Sequence, residues 1–202
     1  MVGNPMFSIS YGLYILTARD GEKDNGCIIN TLSQITSNPN RISITVNKSN
    51  YTHDLIDKTK MFNVSILTTE TPFGVFEHFG FQSGRDTEKF FKNENEKRSQ
   101  NGILYIPSCT NAFISGKVIE QYDFGTHTMF IADVTEAEVL SDVPSLTYAY
   151  YHANIKPKPQ SKTEKKGYRC KICGYIHEGD ELPDDFVCPI CKHGAEDFEK
   201  IV

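Results

Sequence analysis

The sequence predicts a mainly β protein: an antiparallel barrel with a few inserted helices, followed by a small module held together by a metal. Three observations point there. Before residue 150, apolar residues fall in short runs of period two or of unbroken apolar character, at 8–18, 27–31, 42–46, 62–67, 103–106, 112–121 and 127–140. Many short strands linked by turns close well as a barrel. Residues 153–166, ANIKPKPQSKTEKK, hold two prolines, five lysines and a single large apolar residue, Ile155, which is the composition of a linker. Beyond it stand two hooks, Cys170-x-x-Cys173 and Cys188-x-x-Cys191. The expected division is therefore a barrel at 1–152, a linker at 153–166 and a metal module at 167–202.

Taken in order, the strand at 27–31 runs into Asn30-Thr31-Leu32-Ser33-Gln34-Ile35-Thr36-Ser37, expected as a polar turn. Donors at a strand end can read the carbonyl and ring-nitrogen edge of a planar heterocycle, and a solvated turn with side chain to backbone bonds fits the same letters. The strand at 42–46 ends in Asn47-Lys48-Ser49-Asn50-Tyr51-Thr52-His53 and leads into a helix expected over 52–58. Ser49 or Thr52 can cap that helix, with or without a bound anion. A second helix is expected over 72–79, with Pro72 at the first helical position, and a third around 86–91. Before the third, Ser83 and Gly84 precede Arg85, and Arg85 and Lys89 stand one helical turn apart. That arrangement suits a phosphate, and a capped surface helix explains it equally well.

Charge and composition exclude several classes. The formal net charge is −5, and the basic excess is confined to 153–166, which is short, Pro-containing and free of aromatic residues, unlike a nucleic-acid footprint. Residues 167–202 hold four Lys or Arg against eight Asp or Glu, which favours a partner with a basic patch. No apolar run approaches the roughly 20 residues that span a bilayer, and MVGNPMFSIS lacks the basic start and long apolar segment of a secretory signal. No membrane is expected, and the expected location is the cytoplasm. Four of the six cysteines have metal-ligand spacing, so a reducing compartment is expected, with Cys27 and Cys109 as small packed residues.

The hooks alone leave the metal open, because four thiolates in a tetrahedron suit zinc or iron. Gly174 follows Cys173 and lets the backbone turn its N–H groups toward the sulfurs. Aromatic Tyr168, Tyr175, Phe186 and Phe198 recur in a module too small for a large core, so the metal serves as its staple. Four cysteines saturate the site, which leaves His177 and His193 as expected surface residues.

Two resemblances add to this. The segments GCIIN with its hydroxyl-rich continuation, NKSNYTHDLI, FNVSIL, FGFQSGRDTEKF and DFGTHTMFIADV occur in the order found in the flavin reductase-like family of FMN-binding split barrels, and they cover essentially 1–150. The resemblance implies a six-stranded antiparallel split barrel, a homodimer and bound FMN. It implies Asn30, Thr31, Leu32, Ser33 and Gln34 along the isoalloxazine, Asn47, Ser49 and Thr52 toward the ribityl phosphate, and Ser83, Arg85 and Lys89 completing the anion site. NADH or NADPH would bind transiently over the flavin face, where His127 either flanks that face as a proton or hydrogen-bond donor or serves as a core or interface histidine with a satisfied hydrogen bond. Many members carry an acid before that histidine, and here Thr126 stands in its place. The C-terminal stretch Tyr-x-Cys-x-x-Cys-Gly-Tyr, then LPDDF and Cys-Pro-x-Cys, resembles a rubredoxin of the short type found in rubrerythrins, with only 14 residues between Cys173 and Cys188. This implies one iron on Cys170, Cys173, Cys188 and Cys191. The pair of domains resembles the high-molecular-weight rubredoxins. It implies that FMN takes a hydride from NAD(P)H and passes single electrons through the iron to an external acceptor, a flavodiiron protein. The alternatives are a carrier reduced by another flavoprotein and a zinc-ribbon interaction protein.

Overall fold

The computed structural model describes residues 8–90, 97–157, 167–172, 174–189 and 193–201. The chain divides into two compact units, 1–156 and 157–202. In the first, strands β1 (Tyr14–Asp20), β2 (Lys23–Ile29), β3 (Leu32–Ser37) and β4 (Asn40–Asn47) precede helix α1 (Tyr51–Thr59). Then come β5 (Met61–Leu67), α2 (Phe73–Gly80), the two-residue pair β6 (Lys97–Arg98) and β7 (Leu104–Tyr105), and the long hairpin β8 (Thr110–Asp123) and β9 (His127–Val139). One antiparallel sheet holds seven of these strands in the order β2-β1-β5-β8-β9-β4-β3.

The sheet therefore has seven strands where six were expected. The addition is β3, which occupies the stretch expected as a turn. Its residues Ser33, Gln34 and Ile35 are exposed, because β3 is an edge strand paired only to β4. A short edge strand with no fully buried residue needs no apolar alternation, so periodicity could not reveal it. The apolar run at 103–106 instead supplies β7, which pairs with β6 in a separate two-stranded sheet.

Apolar side chains bury both faces of β1. Leu16 joins a barrel cluster with Ile44, Val46, Phe62 and Phe130, whereas Ile15 joins Leu67, Phe76 and Leu146 on the side covered by α2. Helix α1 buries Leu55 and Ile56 and ends at Lys60, whose left-handed φ of 59° lets its N–H reach Ile56 O. Pro72 is the N-cap of α2 rather than its first helical residue.

Two further differences concern helices. No helix forms over 81–90; Lys89 turns inward there and ties the chain back to β2 and α2, and Phe91 lies outside the described residues. An unexpected helical turn, α3 (Tyr148–Tyr150), continues as a π-helical turn over Tyr151–Ile155. Thr147 caps it by accepting from the Tyr150 N–H, and Tyr151 packs on Phe76 with ring centroids 4.4 Å apart. The stretch expected as a linker begins inside this turn, and its residues 158–166 lie outside the described ones.

In the second unit, β10 (Gly167–Cys170) is flanked by β11 (Ile176–Glu178) and β12 (Phe198–Ile201). Phe186 meets Phe198 edge-on at 5.3 Å and His177 at 4.5 Å, a small aromatic core. His177 is thus half-buried against Phe186 rather than a bare surface residue, while His193 is exposed.

Candidate functional site

A cavity of about 380 Å³ opens in the barrel, with Leu32, Ser33 and Gln34 of β3 along one wall. Ile42, Ile66 and Ile114 make apolar walls, and Tyr14 and Asn40 add polar groups. Its size and mixed lining fit a planar heterocycle with polar edges. Gln34 and Asn40 lie near one end of the β3–β4 ladder, and Gln34 Nε2 donates to Asn40 Oδ1 at 3.1 Å. Burial raises the Tyr14 pKa, and the Gly12 backbone partly offsets it, so the phenol stays a neutral donor. Asn30 and Thr31 stand outside this lining; Thr31 Oγ1 donates to Thr45 O at 2.6 Å and fixes the entry to β3.

A second group gathers where β4 meets α1. Asn47 pairs with His127 in the β4–β9 ladder, bringing together residues far apart in sequence. The Asn47 side chain accepts from the Ser49 N–H at 2.8 Å, and Asn50, the N-cap, makes no side-chain cap bond. His127 Nδ1 lies 2.9 Å from Thr126 Oγ1, so the Thr that replaces the usual acid is its observed neighbour. Arg85 Nη2 donates to Asp54 Oδ2 at 2.7 Å, and its guanidinium lies 5.4 Å from the centre of the Tyr51 ring, with Lys23 Nζ 4.6 Å from the same ring. Ser83 Oγ accepts from the Arg85 N–H at 3.2 Å and shapes this turn. Burial pushes the Asp54 pKa up, but bonds from Arg85 and His53 outweigh it and the net shift is down.

Two residues expected at the anion site do not face it. Thr52 is fully buried and its hydroxyl donates to Asn25 Oδ1 at 2.9 Å. Lys89 is 4% exposed and donates to Gly26 O at 2.9 Å and Phe79 O at 3.0 Å. Desolvation lowers its pKa, and backbone carbonyls take the place of an anion. Through its hydroxyl bond Thr52 holds Asn25, whose side chain abuts Gly84 in the Ser83–Arg85 turn. Sequence reasoning passed over Asn25, which holds Thr52. It also passed over His53, whose Nε2 lies 2.9 Å from Thr128 Oγ1 and whose Nδ1 lies 3.2 Å from Asp54 Oδ1. A histidine followed directly by an acid at a helix start was the signal available for the latter.

In the second unit Cys170 and Cys188 are buried, at 1% and 0% exposure. Cys170 N–H donates to Tyr175 O, Gly174 N–H donates to Cys170 O, and Cys188 N–H donates to His193 O, each at 2.8 or 2.9 Å. Gly174 has a φ of +81°, the left-handed turn that glycine permits after the first hook. Cys173 and Cys191 lie outside the described residues. Two buried cysteines, each with its N–H held by a carbonyl five residues further on, fit two ligands of a tetrathiolate metal site. Among the described residues no helix is long and apolar enough to cross a membrane.

A barrel whose cavity suits a planar heterocycle, with cations gathered at a helix start and a cysteine-hook module in the same chain, is the arrangement of a two-domain cofactor-binding protein, and the comparisons with known proteins identify it as a redox protein of the flavin-and-iron class. The chain belongs to the flavin reductase like domain family, matched over residues 6–158, and residues 168–199 match the rubredoxin-like domain of rubrerythrin. It is 37% identical to the high molecular weight rubredoxin of Moorella thermoacetica, across 97% of this chain and 98% of that protein. It is 40% identical to the ferric-chelate reductase (NAD(P)H) of Archaeoglobus fulgidus, across 78% of this chain and 93% of that protein. The NADH:FAD oxidoreductase SgcE6 of Streptomyces globisporus shares the fold, with a TM-score of 0.60 at 19% identity over 69% of this chain and 81% of that one. The protein is a flavin reductase-like oxidoreductase domain fused to a rubredoxin-like, iron-binding electron-transport domain.

Proposed function

We propose that the protein accepts a hydride from NADH or NADPH on FMN and delivers electrons singly, through the rubredoxin iron, to an external flavodiiron protein that reduces oxygen or nitric oxide. Bound flavin supplies the conversion of a two-electron donor into one-electron steps. The chain's own residues bind and orient it. Leu32, Ser33 and Gln34 flank the ring, with Asn30 and Thr31 fixing the entry to that strand, while Asn47, Ser49, Ser83 and Arg85 hold the phosphate and His127 donates a hydrogen bond near the nicotinamide. Cys170, Cys173, Cys188 and Cys191 hold the iron. In this reading 1–152 is the flavin domain, 153–166 the tether and 167–202 the iron domain, working as a cytoplasmic homodimer.

The observation that carries this reading is the occurrence of both domains in one chain, in the order matched over nearly its full length by the Moorella protein. The donor named for the Archaeoglobus relative, NAD(P)H, supports the entry step. An anaerobic absorbance titration of the purified protein with NADH and then NADPH tests it. The flavin band bleaches first and the iron–thiolate band follows. Bleaching that never reaches the metal band refutes the relay, absence of bleaching with either donor indicates a carrier reduced by another flavoprotein, and a colourless metal module indicates zinc.

A further inference from the structure

The cavity carries polar groups beyond the stretch 30–34. Gln34 Nε2 is tied to Asn40 Oδ1 at 3.1 Å, which leaves Gln34 Oε1 as an acceptor and Asn40 Nδ2 as a donor. Both amides are exposed on the cavity's rim. Tyr14 comes from β1, second in the strand order where β3 is last, so the cavity brings together strands that no ladder joins. Burial raises the Tyr14 pKa, so its hydroxyl keeps a proton to donate into the cavity. The ring sits where it does because residue 12 is glycine: a Cβ there would lie 2.1 Å from Tyr14 Oη and 2.5 Å from Cζ. Apolar Leu32, Ile66 and Ile114 complete the walls.

Two donors and an acceptor around an apolar slot are the complement of an imide edge, which presents a carbonyl, an N–H and a second carbonyl in a row. We propose that Tyr14, Gln34 and Asn40 read the pyrimidine edge of the flavin, Tyr14 Oη–H and Asn40 Nδ2 donating to its carbonyl oxygens and Gln34 Oε1 accepting from its ring N–H. The inference rests on the reading that this barrel binds flavin. It names Tyr14 and Asn40 as ring contacts and assigns Gln34 the acceptor role. Because the phenol holds its proton, Tyr14 acts by donating a hydrogen bond.

The test is binding of riboflavin and of N3-methylriboflavin to the full-length protein, followed by quenching of flavin fluorescence, with the thermal midpoint of each flavin-free variant measured alongside. Tyr14→Phe keeps the ring and removes one hydrogen bond, so riboflavin affinity falls about two- to tenfold, with the midpoint unchanged. Wild-type protein binds N3-methylriboflavin at least about tenfold more weakly than riboflavin, since the acceptor at Gln34 is left facing a methyl group. Gln34→Leu removes most of that discrimination. Equal binding of the two flavins by wild-type protein, or riboflavin affinity unchanged in Tyr14→Phe, overturns this inference while leaving the flavin reading intact. Failure of the wild-type protein to bind FMN, which also carries the phosphate, overturns both.

Discussion

Substituting Gly84 by alanine tests how the turn that presents Arg85 is supported. A Cβ at this position would lie 1.9 Å from Asn25 Nδ2 and 2.5 Å from its Cγ and Oδ1. Asn25 is 2% exposed and its Oδ1 accepts from fully buried Thr52, so it has no open space to swing into. If Asn25 yields, two buried polar groups lose their partner, at about 1–3 kcal/mol each. If the turn yields, the chief loss is the half-exposed ion pair of Arg85 with Asp54, worth about 0–1 kcal/mol. The turn is the cheaper element to move. Stability of Gly84→Ala therefore falls by only about 1 kcal/mol, whereas Arg85 leaves the place from which it would meet a phosphate. A charge-assisted hydrogen bond of about 1.5–3 kcal/mol corresponds to roughly ten- to hundredfold in affinity. Fluorescence titrations should show FMN affinity reduced by that factor and riboflavin affinity, which involves no phosphate, held within about twofold. Unchanged FMN binding, or equal loss for both flavins, refutes the reasoning.

Other substitutions probe the remaining parts. In Gly116→Ala the new methyl would lie 2.5 Å from Cζ of fully buried Phe62 on the neighbouring strand, so urea denaturation should show a loss of about 1–3 kcal/mol, largely recovered in the double variant with Phe62→Leu. The Asp54 pKa lies below its ordinary value, so its contribution to stability is present above about pH 4 and is lost as pH falls through the lowered value. Denaturation midpoints followed into acid should decline less steeply for Asp54→Asn than for wild type, and identical acid profiles would count against the Arg85 and His53 partnership. Cys188→Ser removes one of four thiolates; the iron–thiolate absorbance disappears and the second unit loses its staple, while the flavin still bleaches with its nicotinamide donor. A persisting metal band would show that the other three cysteines suffice.

What the sequence determined by itself is whatever is encoded locally. Alternation in 42–46 and 62–67 named strands because those segments have buried faces, and β4 and β5 formed there. Two C-x-x-C hooks with a glycine after the first marked a module in which Cys170 and Cys188 are buried and Gly174 is left-handed, and the order of the motifs identified both domains. Tertiary structure decided which polar groups meet. Lys89 could be spaced correctly for a phosphate and still turn inward, because two backbone carbonyls satisfy an ammonium group as an anion does, and spacing cannot distinguish them. Thr52 could look like a helix cap and instead bond Asn25 across the core. β3 escaped notice because an edge strand needs no buried face, yet it delivers Gln34 to the cavity that Tyr14 enters from β1. Such meetings depend on register and on the packing of strands distant in sequence. A local pattern records which face of a strand is buried, and only the assembled sheet settles what that face finds there.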